Sequence, residues 1–318
     1  MRNWPYTQGL HDLGNTVYAY LQPGGSWGWS NAGIIVDGEA SLLVDTLYDL
    51  QLTRTMLTAM RRSLPAAAQI DMLVNTHANG DHCYGNQLVE NAQIIASKRT
   101  AEEMQEVPPE LMATLMQQAP FLGKIGAFAQ RIYGPFDFEN ITLTPPTQTF
   151  EGQLDLRVGN KSVQLLEVGP AHSQGDTLVY VPADRVIFTG DILFMESHPI
   201  VWAGPVSNWI RACETILALD VATIVPGHGP ITDKQGVANL KSYFTYLLDE
   251  VRLRYTAGMS ASEAARDIPL DAYANWSDQE RIAVNVASIY RELSGEQEAL
   301  STLSLFALMA DYMDQTTS

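Results

Sequence analysis

Thr76-His77-Ala78-Asn79-Gly80-Asp81-His82 follows directly on an apolar run, Ile70–Asn75, and its polar residues have spacings that no buried strand or helix would choose. The apolar run reads as a strand, so the polar heptapeptide is the turn at its end. Loops at strand ends are where α/β proteins assemble chemistry. Three further segments end strands in the same manner: Gly169-Pro170-Ala171-His172-Ser173, Phe188-Thr189-Gly190-Asp191 and Val225-Pro226-Gly227-His228-Gly229. The chain has six histidines, and His77, His82, His172 and His228 all fall in these turns. A single His-x₄-His is weak evidence, because a lone loop histidine is usually just solvated or hydrogen-bonded. Four turns each carrying His or Asp form a joint pattern that chance seldom supplies. Imidazole nitrogen and carboxylate oxygen suit Zn²⁺, and also Mn²⁺ or Fe²⁺.

Outward from this cluster the pattern alternates. Val17–Leu21, Ala32–Val36 and Ser41–Asp45 are short apolar runs bounded by Gly, Pro or Asp, which read as strands. Leu52, Met56, Met60 and Leu64 recur at helical spacing, predicting a helix over Leu52–Leu64. Ile94–Ser97 is the next strand. Thr100 to Tyr133, rich in Met, Gln, Ala and Leu, reads as helices. This is a helical insertion, within about residues 100–145, that would overhang the turns and cover an apolar substrate with Met104, Met112, Met116, Phe121 and Phe128. Strands resume at Leu154–Val158, Val163–Val168, Thr177–Val181, Val186–Thr189 and Thr223–Val225, with a helix over Asn208–Leu219. From Lys234 onward the pattern is helical, most clearly over Ser277–Leu293 and Glu296–Met313. Two β-rich halves, each followed by helices, predict a layered αββα sandwich over residues 1–232. Residues 233–318 form a helical extension packed on the same domain.

Composition bounds the function. The 318 residues are 46% hydrophobic, enough for a sizeable core without disulfide support, and two cysteines, Cys83 and Cys213, make no disulfide framework. A net charge of −17, with no Lys/Arg run, would repel phosphates and argues against a nucleic-acid partner. No stretch of about 18 apolar residues predicts a membrane span, and the opening residues lack the apolar core of a signal peptide, so a cytoplasmic location is expected.

The four turns resemble the signature of the metallo-β-lactamase superfamily: H-x-H-x-D-H after a strand, a later His, an Asp in a T-G-D turn and a final His. Leu42-Leu43-Val44-Asp45-Thr46 is similar to that family's early L-L-x-D-T strand end. The resemblance runs from about Gly14 to Pro230. It implies a four-layer αββα fold and a metal-dependent hydrolase. It also implies two metal positions, one with His77 and His172, the other with Asp81, His82 and His228, and Asp191 shared. The second histidine of the signature is Asn79 here, and an amide oxygen is a poor zinc ligand beside imidazole. The expectation is therefore one tight Zn²⁺ on Asp81, His82, Asp191 and His228, with a second metal weak or absent. Two bound metals remain the alternative. Asp81 would orient the metal-activated water and take its proton, His77 and His172 would act as base or oxyanion partner, and the Asn79 amide would donate to developing negative charge.

The leading expectation is hydrolysis of a small ester, lactone, thioester or amide. A second reading is hydrolytic dehalogenation, because chlorothalonil dehalogenases look similar in their Asp-His pair, single zinc and length. A reading from another class is an inactive metal-binding protein. The remaining residues carry less: His198 reads as a pocket wall or surface loop, Trp202 or Trp209 as a cleft wall or core, and Cys83 as a buried structural thiol. The apolar faces of the last two helices are packing surfaces, with a homodimer interface as one use for them.

Overall fold

A computed structural model describes residues 4–296 and 300–316. Seven strands form the first sheet in chain order: β1 (Gly9–Gly14), β2 (Val17–Leu21), β3 (Ala32–Asp37), β4 (Ala40–Val44), β5 (Met72–Val74), β6 (Gln93–Ser97) and β7 (Gln148–Phe150). It is antiparallel from β1 to β4 and parallel from β4 to β7. Five strands form the second: β8 (Gln153–Val158), β9 (Lys161–Glu167), β10 (Thr177–Val181), β11 (Val186–Phe188) and β12 (Thr223–Val225), ordered β12-β11-β10-β9-β8.

Period-2 alternation assigns each face. Leu42 and Val44 of β4 point into the space between the sheets with Ile35, Val163, Leu165, Val179 and Phe188. Leu43 and Ile34 point outward against α1 (Leu50–Ser63), meeting Met56, Leu57 and Met60. On the second sheet Val179 and Val181 face inward, while Leu178 and Tyr180 face an outer helical core. The layers are therefore helix, sheet, sheet, helix, as the alternation predicts. The sheets approach closely enough that a Cβ on Gly33 would lie 2.1 Å from the Phe188 ring, so that position needs a hydrogen side chain.

α1 starts where the Asp49 carboxylate accepts from the Leu52 amide at 2.7 Å, and ends with Arg61 and Arg62 beside its exposed carbonyls. α2 (Gly80–Cys83) is a single turn at the end of β5. The insertion folds as α3 (Lys98–Glu103), α4 (Pro109–Gln118) and α5 (Gly123–Tyr133). α6 (Val206–Ala218), α7 (Lys234–Thr256), α8 (Ala261–Asp267), α9 (Ile282–Ser294) and α10 (Thr302–Thr316) complete the chain. Residues Val237 to Val251 of α7 and Ile282 to Ile289 of α9 share one buried cluster with Leu178, Ile187 and Ile224 of the second sheet.

The structure differs from the sequence reading at two helix starts. α9 begins five residues later than Ser277, because Asp278 takes a left-handed conformation (φ 60°) and Gln279–Arg281 forms a 3₁₀ turn. α10 begins at Thr302 instead of Glu296, and residues 297–299 of that expected helix lie outside the described residues.

Candidate metal centre

The parallel pairing of β4 and β5 puts Val44 beside Val74, so the residues just past each strand are neighbours. Asp45, past β4, accepts from the Thr76 amide and the Thr76 hydroxyl, each at 2.7 Å, and lies 2.9 Å from His82 Nδ1. It ties the turn of His77 to the turn of His82. The His172 loop closes on Asp176, whose carboxylate accepts from the Ala171 and Ser173 amides at 3.1 Å and the Ser173 hydroxyl at 2.7 Å. Asp191 sits in a 3₁₀ turn after β11, and His228 after β12. Gly227 packs so tightly here that a Cβ would lie 2.0 Å from Asp191 Oδ1.

All four imidazoles are oriented from behind through Nδ1. His172 Nδ1 reaches the Ile200 carbonyl at 2.8 Å and His228 Nδ1 the Trp29 carbonyl at 3.2 Å. His82 Nδ1 reaches Asp45, and His77 Nδ1 the Thr76 hydroxyl at 3.1 Å, whose own proton goes to Asp45. Carbonyl and carboxylate oxygens only accept, so each Nδ1 carries the proton and each Nε2 offers a lone pair.

These lone pairs converge on carboxylates. Asp191 lies 3.1 Å from His82 Nε2, 3.3 Å from His172 and His228, and 3.8 Å from His77. Asp81 lies 3.3 Å from His228 and 3.8 Å from His82. His77, His172 and Asp191 form one group, and Asp81, His82 and His228 another, each with its ligand atoms within 4.8 Å of one another. Every expected ligand is therefore brought to one place and buried. Asn79 precedes α2 half-buried, faces the adjoining cavity and caps no backbone amide.

This arrangement fits a cation. The Nε2 atoms of His77, His82 and His172 and Asp191 Oδ1 are buried without a hydrogen-bond partner. Lone pairs facing one another at 3.1–3.8 Å repel unless positive charge lies between them. The ion-pair partners of Asp45, Asp81 and Asp191 are all histidines. Ionisation shows the same demand. Burial opposes charging of His82, yet Asp191, Asp81 and Asp45 outweigh it and hold its pKa well above the usual value. His228 is likewise drawn up to about 8 against its burial, by Asp191 and Asp81. Asp191 is driven well below the carboxylate range: burial would raise it, and the four surrounding histidines prevail. Burial keeps His77 well below its usual value and His172 at about 4, the neutral form that ligates metal.

A sequence profile described as the Metallo-beta-lactamase superfamily matches residues 25–228, which contain all four turns. The chain belongs to the metallo-beta-lactamase superfamily. The clustered His and Asp residues match the divalent-metal binding that this membership implies. Among solved structures it is similar to a stereoselective inverting sec-alkylsulfatase from Pseudomonas sp., with TM-score 0.67 and 16% identity over 92% of this chain and 52% of that one. It is also similar to a metallo-beta-lactamase from Pontibacter korlensis, with TM-score 0.57 and 17% identity over 75% of this chain and 99% of that one. At these identities the likeness shows the fold. In sequence it is 31% identical over 86 residues to the 2,4-dinitroanisole O-demethylase subunit alpha of Nocardioides sp. (strain JS1661), a stretch covering 26% of each chain.

Above the metallo-beta-lactamase turns lies a cavity of about 490 Å³, with Asp81, His172, Asp191 and His228 in its lining. Its walls are aromatic: Trp27, Tyr48, Tyr133, Phe194, Trp202 and Phe306. The insertion overhangs it through Leu111, Met112 and Leu115 of α4, and α10 adds Leu303 and Leu305. Phe121, expected to cover a substrate, is instead 82% exposed, and Phe128 is buried in the helical core. Trp202 takes the wall position and Trp209 is core, while Cys83 is buried with its thiol pushed well up by burial. His198 is neither pocket wall nor surface. It is fully buried with Nδ1 3.0 Å from the Tyr243 hydroxyl, because a bridge between Ser197 and Ser277 draws its segment under the C-terminal helices. Sequence reading missed Arg281, Trp27, Phe194 and Glu103 as cavity residues. None lies at a spacing that would single it out, and Arg281 is brought in by the turn before α9.

Proposed function

We propose that this chain is a metal-dependent hydrolase acting on a small, largely apolar, aromatic molecule bearing an ester, lactone, thioester or amide bond. The observation that supports it most is the cluster of four imidazoles and two carboxylates that meets an aromatic-walled cavity through Asp81, His172, Asp191 and His228. A Zn²⁺, Mn²⁺ or Fe²⁺ held tightly by Asp81, His82, Asp191 and His228, with any second ion on His77, His172 and Asp191, would supply a nucleophilic water at neutral pH and polarise the bond attacked. The chain's own groups do the rest. Asp81 is the least encumbered carboxylate at the cavity floor, since Asp45 is committed to Thr76 and Asp191 is surrounded by four histidines, and it takes the proton of the attacking water. The uncommitted amide of Asn79 donates to the oxygen on which negative charge develops. The aromatic walls exclude bulk water and orient a planar substrate.

A second reading, hydrolytic displacement of a substituent from an activated aromatic ring, is favoured by the relative named for O-demethylation of 2,4-dinitroanisole. The same residues would serve, with the leaving group attached to the ring. Elemental analysis of the purified protein, followed by turnover of aryl esters, thioesters and lactones beside nitroaryl ethers and aryl chlorides, separates the two. Protein carrying metal but turning over none of these is evidence against both.

A further inference from the structure

We infer that the cavity holds a subsite for an anionic oxo group, built from Arg281 and the indole N–H of Trp202, so that the substrate is an aromatic molecule carrying a carboxylate or sulfate. This rests on the reading of the cavity as the substrate site.

Arg281 lines the cavity yet is only 1% exposed. Its guanidinium lies 4.1 Å over the Trp27 ring and 5.3 Å from the Phe194 ring, so aromatic surface covers it. One edge is used, where NH1 donates to the His198 carbonyl at 2.8 Å. Nε has no partner. The carboxylate of Asp278 stands 4.0 Å from NH2, beyond hydrogen-bond reach, and is occupied by the hydroxyls of Ser26 and Ser277. The carboxylate of Glu280 is taken by the Trp27 indole N–H at 3.0 Å. The guanidinium is thus ion-paired with Asp278 at 4.0 Å, yet its Nε–H is buried with no hydrogen-bond acceptor, a donor that a bound anion would satisfy.

The second donor is independent of the first. Trp202 Nε1 is buried and unpartnered in the same lining, with its ring 6.3 Å from Trp27. The Trp202 backbone amide donates to the His172 carbonyl at 3.0 Å, which anchors the residue to the His172 turn. Of the acidic lining residues, Asp81 and Asp191 belong to the candidate metal centre and Glu103 and Glu106 to the α3 end of the insertion, and Trp27, Trp202 and Arg281 belong to other segments. With the whole chain at −17, a local buried cation is the feature that admits an anion.

Tryptophan fluorescence reads the subsite without turnover, because Trp27 and Trp202 form its walls. Benzoate, phenyl sulfate and neutral benzyl alcohol would be titrated into the purified protein and into Arg281→Gln and Trp202→Phe, with bound metal measured on each. The expected result is at least tenfold tighter binding of one anion than of benzyl alcohol by the unchanged protein. Each variant should lose at least fivefold for that anion and less than twofold for benzyl alcohol, at unchanged metal content. Trp202→Phe keeps an aromatic ring but removes the pyrrole portion of the indole with its N–H, so the comparison of anion with benzyl alcohol remains informative if Arg281→Gln fails to fold. Equal binding of anions and benzyl alcohol by the unchanged protein, or parallel loss of both in Trp202→Phe, overturns the subsite. Absence of hydrolysis would overturn the proposed function and leave this binding result standing.

Discussion

Replacing Asp45 by Asn tests whether the carboxylate behind His82 governs the centre. Asp45 receives three protons, from the Thr76 amide on Oδ1 and from the Thr76 hydroxyl and His82 Nδ1 on Oδ2. Asn has nearly the same shape but one acceptor oxygen. If its NH₂ faces the Thr76 amide, two donors oppose each other at about 2.7 Å. If it faces His82, the imidazole must move its proton to Nε2, the atom that points at Asp191. Either arrangement leaves a buried group unpaired, which costs about 1–3 kcal/mol. The second also removes a ligand lone pair. Groups that orient a ligating histidine typically govern 10–100-fold in metal affinity, or about 1.4–2.7 kcal/mol. The expected outcome for Asp45→Asn is a 10–100-fold weaker metal affinity in competition with a chromophoric chelator, with a melting temperature lowered even in excess metal. An Asp45→Asn protein that holds metal within twofold of the original would refute the tautomer argument, because the imidazole would then be held correctly by other contacts.

Three further outcomes are expected. Asp191→Ala, His82→Ala or His228→Ala should abolish turnover and strip metal together, whereas His77→Ala and His172→Ala retain most of the tight metal and Asn79→His adds a second. Elemental analysis after mild chelator dialysis decides this, and a His77→Ala protein as bare as His228→Ala contradicts it. Glu103, half-buried on α3 and accepting from the Gln174 amide at 3.0 Å, is raised to about 7 by burial. Its folded form therefore keeps a proton that the unfolded chain releases near 4.5. The stability this contributes is full below about pH 4.5, falls between 4.5 and 7, and is gone above 7. Glu103→Gln should match the original protein at pH 4.5 and exceed it by about 2 kcal/mol at pH 8, a gap that urea melts at the two pH values would measure. Gly227→Ala inserts a methyl 2.0 Å from Asp191 Oδ1 and 2.7 Å from the Gly190 carbonyl carbon. It should cost about 1–3 kcal/mol and lower metal content, so an unchanged melting temperature with full metal would count against the tight packing described.

Most of the sandwich was legible because burial on both faces makes β2, β3, β4 and β10 short, nearly continuous apolar runs. The two strands that sequence reading missed lack that signal. β1, Gly-Leu-His-Asp-Leu-Gly, is a half-exposed edge strand, and β7 has three residues with only Phe150 buried. The clustered His and Asp residues were legible because each lies in a turn just past a strand, where chemistry collects. The cavity walls were not. Trp27 reaches the site from the loop after β2, Phe194 from the segment after Asp191 and Phe306 from α10, and no local period records which aromatics tertiary packing will gather.

The hydrogen bonds of Ser26 to Asp278 and Trp27 to Glu280 join residues 252 and 253 positions apart. During synthesis from the N-terminus, the last of the four turns, at His228, is made before Arg281 leaves the ribosome. The candidate ligands are therefore all translated before the residues that close one side of the cavity. Ser26 and Trp27 wait in an early loop for partners translated near the end. One wall of the binding chamber is thus fastened between the first tenth of the chain and residues near its end.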